Sequence, residues 1–330
     1  IVIYNVAASS GGALSILEHY YQTIRQENNS TNKYYFIISK PDLIEKENIK
    51  VIKYPWVKKS WFHRLFFDIF IAPKIVKNIN PDKIISLQNL SVPRIKGFPQ
   101  TIYFHNMIYL TSYKFKLLKH PKHWFYQNIL KIVLLNSLRQ AKTVIVQAHW
   151  IKDLLINSYS IDSKKILVQT PILSIKPDAS NITRIRQYIY PASAAHYKNH
   201  IILFKTYYQM FKENKELHQL ILTINGDETR EIKKWAEIVE KNKLPIQFNG
   251  YMTRKEIFDY YKESILIFPS LIESYTLVLP EAKQFNTPII VSDLPFAHEG
   301  IDDYTKVCFF DPTSVKSLKY CLEQMGKNIF

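Results

Sequence analysis

The sequence predicts an α/β chain of two doubly wound domains, 1–170 and 171–330, facing one another across a cleft. Three observations carry that prediction. Short apolar runs rich in β-branched residues alternate with longer helical patterns, and the alternation restarts after Thr170-Pro171. The third is length, since 330 residues accommodate two cores of ordinary size.

Strands buried on both faces of a parallel sheet read as near-continuous apolar runs. In the first half such runs fall at 1–6, 34–39, 83–87, 101–104 and 143–147, with 166–169 as one more. Helices are expected at 14–26, 62–78 and 124–139. In the second half the strands are 186–190, 219–225, 246–249, 265–269, 288–292 and 306–309, separated by helices 200–213, 229–241, 253–263 and 278–285. The last segment, 314–325, is helical by pattern and can pack on either domain.

With 47% hydrophobic residues the chain can bury sizeable cores. Only 7 glycines exclude Gly-repeat and linker-rich architectures. Cys308 and Cys321 belong to no Cys-x-x-Cys and have no paired His, so they are expected as two reduced, buried small hydrophobes. Neither a disulfide nor a zinc site is expected, which points to a reducing compartment. No apolar run reaches the ~18 residues of a membrane span, and the first residues lack the basic start of a signal peptide. The expected place is the cytosol.

Net charge is +16, of which residues 50–140 carry +14. Within that stretch, Trp61, Phe62, Leu65, Phe66, Ile69 and Phe70 form one broad apolar stripe at helical spacing, beside Lys58, Lys59 and Arg64. A second region, 113–124, sets Lys114, Lys116, Lys119 and Lys122 among aromatics. An anionic membrane surface fits such a mixture; an ordinary helix burying its stripe on a sheet fits it as well. Nucleic acid is not expected, because no helix-turn-helix, zinc-finger, RNP or KH pattern accompanies the bases.

The window 268–288 holds the most chemistry. A strand ends at Phe268-Pro269-Ser270, a loop carries Glu273, and the helix that follows carries Glu281. Carboxylate oxygens suit vicinal sugar hydroxyls, since each accepts two donors. A helix start between them offers free N–H groups to a diphosphate. Taken alone, two glutamates at this spacing are an ordinary solvated face.

The surrounding letters resemble the donor site of family 4 glycosyltransferases, retaining nucleotide-sugar-dependent enzymes of the GT-B fold, with its two Rossmann-like domains. The resemblance runs through Tyr197-Lys198-Asn199-His200, Ile224-Asn225-Gly226, Phe248-Asn249-Gly250-Tyr251 and Phe310-Asp311-Pro312. It is looser in the first half, at Gly11-Gly12 after strand one and at His105 in Tyr103-Phe104-His105-Asn106.

The resemblance implies that Glu281 binds the ribose hydroxyls and Glu273 the transferred sugar. The segment Ser274, Tyr275, Thr276 and Leu277 would hold the diphosphate with its amides, assisted by Lys198. Gly226, Tyr251 and Met252 would complete the donor side, the last two near the base. His105 would face sugar and acceptor, Gly11 and Gly12 the phosphates and acceptor. The leaving diphosphate would take the acceptor's proton, with no protein nucleophile, metal or cofactor. Partners would be a nucleotide-diphosphate sugar, a lipid-linked glycan acceptor and an anionic membrane, placing the protein peripherally at the inner face of the cell membrane.

Departures from the family pattern are Ser193 where an Arg is common, and Thr276 and Thr287 where Gly is usual. Arg254 could replace the missing Arg, although a solvated first-turn Arg is the plainer reading. The rival functions are a non-hydrolysing nucleotide-sugar epimerase and a non-catalytic membrane-peripheral binding protein with a decayed donor site.

Overall fold

The computed structural model describes residues 1–9, 11–27, 31–171 and 185–329. Two compact units, Ile1–Thr170 and Pro171–Phe330, divide the chain. The first is built on strands β1 (Val2–Asn5), β2 (Tyr34–Ile38), β3 (Ile49–Lys53), β4 (Ile84–Ser86), β5 (Gln100–Phe104), β6 (Thr143–Val146) and β7 (Ile166–Val168). They form one sheet in the order β3-β2-β1-β4-β5-β6-β7. Every pairing is parallel, with Val2 level with Tyr35 on one side and Ile84 on the other.

Alternating side chains of β1 feed two layers. Ile3 joins Leu17, Tyr21 and Ile24 of the helix Gly11–Gln26, together with Phe36 and Ile38. Val2 and Tyr4 join Phe67, Ala72 and Val76 on the opposite face. Helices on both faces are what make the strands apolar throughout.

The second unit contains β8 (Gln187–Tyr190), β9 (Gln219–Leu222), β10 (Ile246–Phe248), β11 (Ser264–Phe268), β12 (Ile289–Ser292) and β13 (Val307–Phe310). Their order is β10-β9-β8-β11-β12-β13, again parallel throughout. The direction of winding reverses at β1/β4 in the first sheet and at β8/β11 in the second. The closing helix, Val315–Ile329, packs on the helix His200–Lys212 and on β13, so it stays with the second unit.

Three features differ from the sequence reading, and a fourth bears on a reading that it left open. β3 was not expected: in IKVIK the apolar residues alternate with Lys50 and Lys53, the pattern of an edge strand and not of a buried run. The helices His149–Tyr159 and Pro295–Ile301 were also missed, the first burying only Ile151 and Leu155 and the second only seven residues long.

The aromatic stripe is not covered. Trp61–Phe66 continues through a wide π turn, Phe67–Ile71, into Ala72–Ile79. The extra residue of such a turn shifts the helical phase. Phe67, Ala72 and Val76 therefore meet the sheet, whereas Trp61, Phe62, Phe66 and Phe70 remain 41–74% exposed. A second rod, Pro121–Phe125, Tyr126–Leu130 and Lys131–Gln140, contains the same kind of turn and exposes Ile129, Ile132 and Val133. The rods touch where Trp61 meets Phe125 edge-on, at 4.9 Å between ring centres. Arg64, expected beside the outward lysines, turns inward and pairs with Asp68 at 2.7 Å.

Finally, Cys308 of β13 and Cys321 of the closing helix form a disulfide, correcting the expectation of two reduced thiols. A separation of 13 residues says nothing about distance in space. The closing helix returns along β13 and sets the two Cα atoms 5.9 Å apart, within disulfide reach. Among the described residues, no helix is long and apolar enough to cross a membrane.

The facing of the first rod is testable by truncation. Phe67→Ala is expected to cost about 3–5 kcal/mol of stability, and Phe66→Ala less than about 1 kcal/mol, in urea unfolding. Equal losses would reverse the assigned faces.

Candidate functional site

In open parallel sheets, ligands bind outside the carboxyl ends of strands where the winding reverses. In the second unit that place lies beyond β8 and β11. After β8 the chain makes a short 3-10 turn, His196–Lys198, and enters the helix His200–Lys212 through Asn199 at φ 60°. After β11 it runs through Pro269 and Ser270 to Glu273.

Several bonds lock the two loops together. The Asn199 amide donates to the carbonyls of Pro269 (3.1 Å) and Pro312 (2.9 Å), and the Leu271 N–H to the Tyr197 carbonyl (2.8 Å). Glu273 Oε1 accepts from Lys198 Nζ at 2.5 Å and from the Ser270 hydroxyl at 2.6 Å. The Lys198 and Glu273 side chains are only 18% and 12% exposed. Pro269-Ser270 and Asn199 were legible only as motif letters; their work as loop ties was not.

Glu281 lies in the first turn of the helix Val278–Gln284 with its side chain 8% exposed. Arg254 opens the helix Arg254–Tyr261, whose start is held by a reciprocal Thr253–Glu256 capping box. Arg254 Nη2 donates to Glu281 Oε1 at 2.5 Å. Arg254 is thus not simply solvated: its side chain stays 47% exposed and at the same time reaches the buried carboxylate. Burial raises the Glu281 pKa, outweighing the opposing pull of Arg254.

Each carboxylate thus holds one cation, and the four charges cancel.

The remaining residues are placed as follows. Ser274, Tyr275 and Leu277 are half-buried and lead into the helix at Val278, while Thr276 is buried. The Val278 N–H donates to the Thr276 hydroxyl at 3.3 Å, so Thr276 engages one amide of that helix start. Gly226, at φ 93°, has a packing role, since a Cβ there would stand 3.2 Å from the Phe248 ring. Tyr251 is 90% exposed and Met252 half-buried, on the turn that delivers Arg254.

In the first unit, His105 follows β5. Asn89 Oδ1 accepts the backbone N–H groups of His105 (2.8 Å) and Asn106 (3.0 Å). The imidazole Nδ1 is buried without a partner, and burial lowers the pKa to about 4, leaving the ring neutral at pH 7. Gly11, at φ 60°, and Gly12 open the first helix; both are exposed, and a Cβ on either would meet nothing.

Residues 176–328, nearly the whole second unit, match the model of the family described as glycosyl transferases group 1. The second unit belongs to that family. The chain is accordingly a glycosyltransferase. It is 21% identical over 292 residues to the O-antigen chain mannosyltransferase RfbU of Salmonella typhimurium strain LT2, covering 88% of this chain and 76% of that one. Among solved structures it is similar to HepE of Anabaena in complex with UDP and glucose, with a TM-score of 0.68 and 16% identity, covering 99% of this chain and 90% of that one. It is equally similar to WaaG, a glycosyltransferase involved in lipopolysaccharide biosynthesis, with a TM-score of 0.68 and 12% identity over 98% and 90% of the two chains. The transferase has the GT-B fold.

Behind Lys198, the His200 ring of the transferase is buried against Tyr190 at 4.8 Å with neither nitrogen partnered. Burial, then Lys198, lowers its pKa to about 4 from an ordinary 6.5. The unfolded chain therefore takes up a proton at a pH where the folded one does not. Stability present at pH 7 is lost as pH falls from about 6.5 towards 4, at these two histidines. Urea midpoints should drop across that window and drop less in His200→Gln; a parent midpoint constant from pH 7 to 4.5 would refute this.

Proposed function

We propose that the protein transfers a sugar from a nucleotide-diphosphate sugar to a hydroxyl of a lipid-linked glycan, with retention, in surface-polysaccharide assembly at the inner face of the membrane. The observation that carries this reading is the pair of buried carboxylates, each neutralised by a releasable cation, at the winding reversal of the second sheet. In this reading Glu281 exchanges Arg254 for the ribose hydroxyls, and Glu273 receives the hydroxyls of the transferred sugar. Lys198 and Arg254 then meet the diphosphate, and Arg254 replaces the cation that Ser193 cannot supply.

Charge grows on the leaving diphosphate as the glycosidic bond breaks, so these cations stabilise the transition state more than the ground state. Glu273 is tied down by Lys198 and Ser270 and serves as a positioning acceptor, which leaves the departing phosphate oxygen to take the acceptor's proton on the same face. Such a route retains configuration. Support for the polysaccharide setting comes from the named roles of RfbU and WaaG.

The membrane part of the proposal rests on the two exposed rods of the first unit. Their uncovered aromatic and aliphatic side chains lie in a stretch with 16 Lys and Arg against two acids. Apolar side chains entering an interface beside cations suit an anionic bilayer, where each cation adds up to about 1 kcal/mol. Vesicle sedimentation should show binding to anionic but not neutral vesicles, weakened by salt and by Lys59→Glu with Lys116→Glu and Lys119→Glu. Equal binding to both kinds, or to neither, would remove the membrane from the proposal.

The two glutamates separate by calorimetry with a panel of nucleoside diphosphates and their sugars. Glu281→Ala is expected to weaken both ligand classes about ten- to a hundredfold, the worth of a charge-assisted hydrogen bond. Glu273→Ala should leave nucleoside diphosphate affinity nearly intact and lower turnover. Parent-like binding of both ligands by both variants would overturn the donor site. Product analysis distinguishes transfer from epimerisation, and the anomeric configuration of the product tests retention.

A further inference from the structure

Two helices of the second unit face one another rung by rung. On the helix Arg254–Tyr261, the residues Arg254, Phe258 and Tyr261 recur at i, i+4 and i+7 and so share one face. Opposite them, Glu281 and Phe285 stand one turn apart along the helix Val278–Gln284 and its end, where the Phe285 N–H reaches the Glu281 carbonyl at 3.4 Å. Arg254 meets Glu281 on one rung. On the next, the buried Phe285 ring lies 5.1 Å from the ring of Phe258 and 6.0 Å from that of Tyr261. Thr287 fixes the far end, its hydroxyl donating to the Tyr261 carbonyl at 2.8 Å.

The half-buried Phe258 belongs to both rungs. Arg254 Cζ stands 5.5 Å over its ring centre, close enough for cation–π attraction. The Arg254 side chain is half-exposed and rich in rotamers, so the ion pair alone leaves the guanidinium free to swing into water. Glu281 cannot follow it, and its buried carboxylate would be left without a partner. An aromatic face beneath the planar guanidinium limits that swing. Phe285, one turn from Glu281, ties the same face to the carboxylate's own helix.

We propose that Phe258 is a positioning residue for nucleoside diphosphate binding: its ring, seated on Phe285, holds the Arg254 guanidinium beside Glu281, where the cation meets the ligand. Phe258 touches no ligand and acts through Arg254. The nature of the ligand rests on the donor site proposed above; the seating of Arg254 by the ring does not. Leucine at this place would keep an apolar contact with Phe285 and offer no aromatic face to the cation, whereas tyrosine would keep both.

Phenylglyoxal modification of the full chain, followed by mass spectrometry at each arginine, tests the seating without any ligand. In the parent, Arg254 should react more slowly than the exposed Arg230. In Phe258→Leu its rate should rise about two- to fivefold, the worth of an exposed cation–π contact, and in Phe258→Tyr it should keep the parent value. Calorimetry with a panel of nucleoside diphosphates, UDP and GDP among them, should show affinity falling by a similar factor in Phe258→Leu and not in Phe258→Tyr. Phe258→Met repeats both measurements if the leucine variant does not fold. An unchanged Arg254 rate in the variants without a ring, or tyrosine behaving like leucine, would overturn the positioning role. So would a faster Arg254 rate with unchanged affinity for a diphosphate that the parent binds. A parent that binds none of the panel would remove the donor site instead, while the arginine rates would still decide whether Phe258 seats Arg254.

Discussion

The carboxyl edge of the second sheet depends on the ion pair between Lys198 and Glu273. Two side chains less than one-fifth exposed have lost most of their hydration, and neither charge would be tolerated there alone. Their pairing, with Ser270 as a third member, joins the loop after β8 to the loop after β11 across the point where the winding reverses. Asn199 adds neutral ties to Pro269 and Pro312. The consequence is a preorganised edge, in which Glu273 is held in place without a ligand and Glu281 is set beside it in sequence by a short helix.

The two winding reversals are opposite in their charge balance. In the second unit every carboxylate of the site has its own cation, so the empty edge is neutral. In the first unit Lys58 donates to the Ala7 carbonyl under the influence of further cations, while Asp68 is already committed to Tyr4 and Arg64. Cancelled charges cost little at rest and can be re-partnered. Burial first, and then the positive charges of Arg64, Lys40 and Lys122, lower the pKa of Lys58 to about 8.

How much of this was legible in the sequence follows from the kind of signal each feature leaves. Strands buried on both faces left continuous apolar runs, and those were read correctly; β3, an edge strand alternating with Lys50 and Lys53, left none. Glu273 and Glu281 were singled out by the resemblance of the letters around them, since their spacing alone reads as a solvated face; the structure buries both side chains and pairs each with a cation. Arg254 was misjudged because its partner is 27 residues away, and only the turn after β10 brings it to Glu281. The disulfide was missed for the same reason, being a long-range closeness. The stripe was read as one face with its covering left open, and Trp61, Phe62, Phe66 and Phe70 do stay exposed together; what a 3.6-residue period could not show is the π turn that gives the sheet contact to Phe67.

That turn also explains why the apolar stripe stays uncovered beside the charge stretch. A regular helix would have buried the stripe and left the lysines as an ordinary solvated face. The wide turn hands the core to Phe67, Ala72 and Val76, and so leaves four aromatic side chains in water at a cost of roughly 25 cal/mol for each Å2 of apolar area. The same kind of turn recurs in the second rod, where Ile129, Ile132 and Val133 stay uncovered, and Arg94 stands 5.1 Å over the Phe70 ring. Two neighbouring helices that independently turn apolar residues outward are hard to reconcile with core packing alone. The membrane docking proposed above would draw on both features, cations for anionic headgroups and aromatics for the interface.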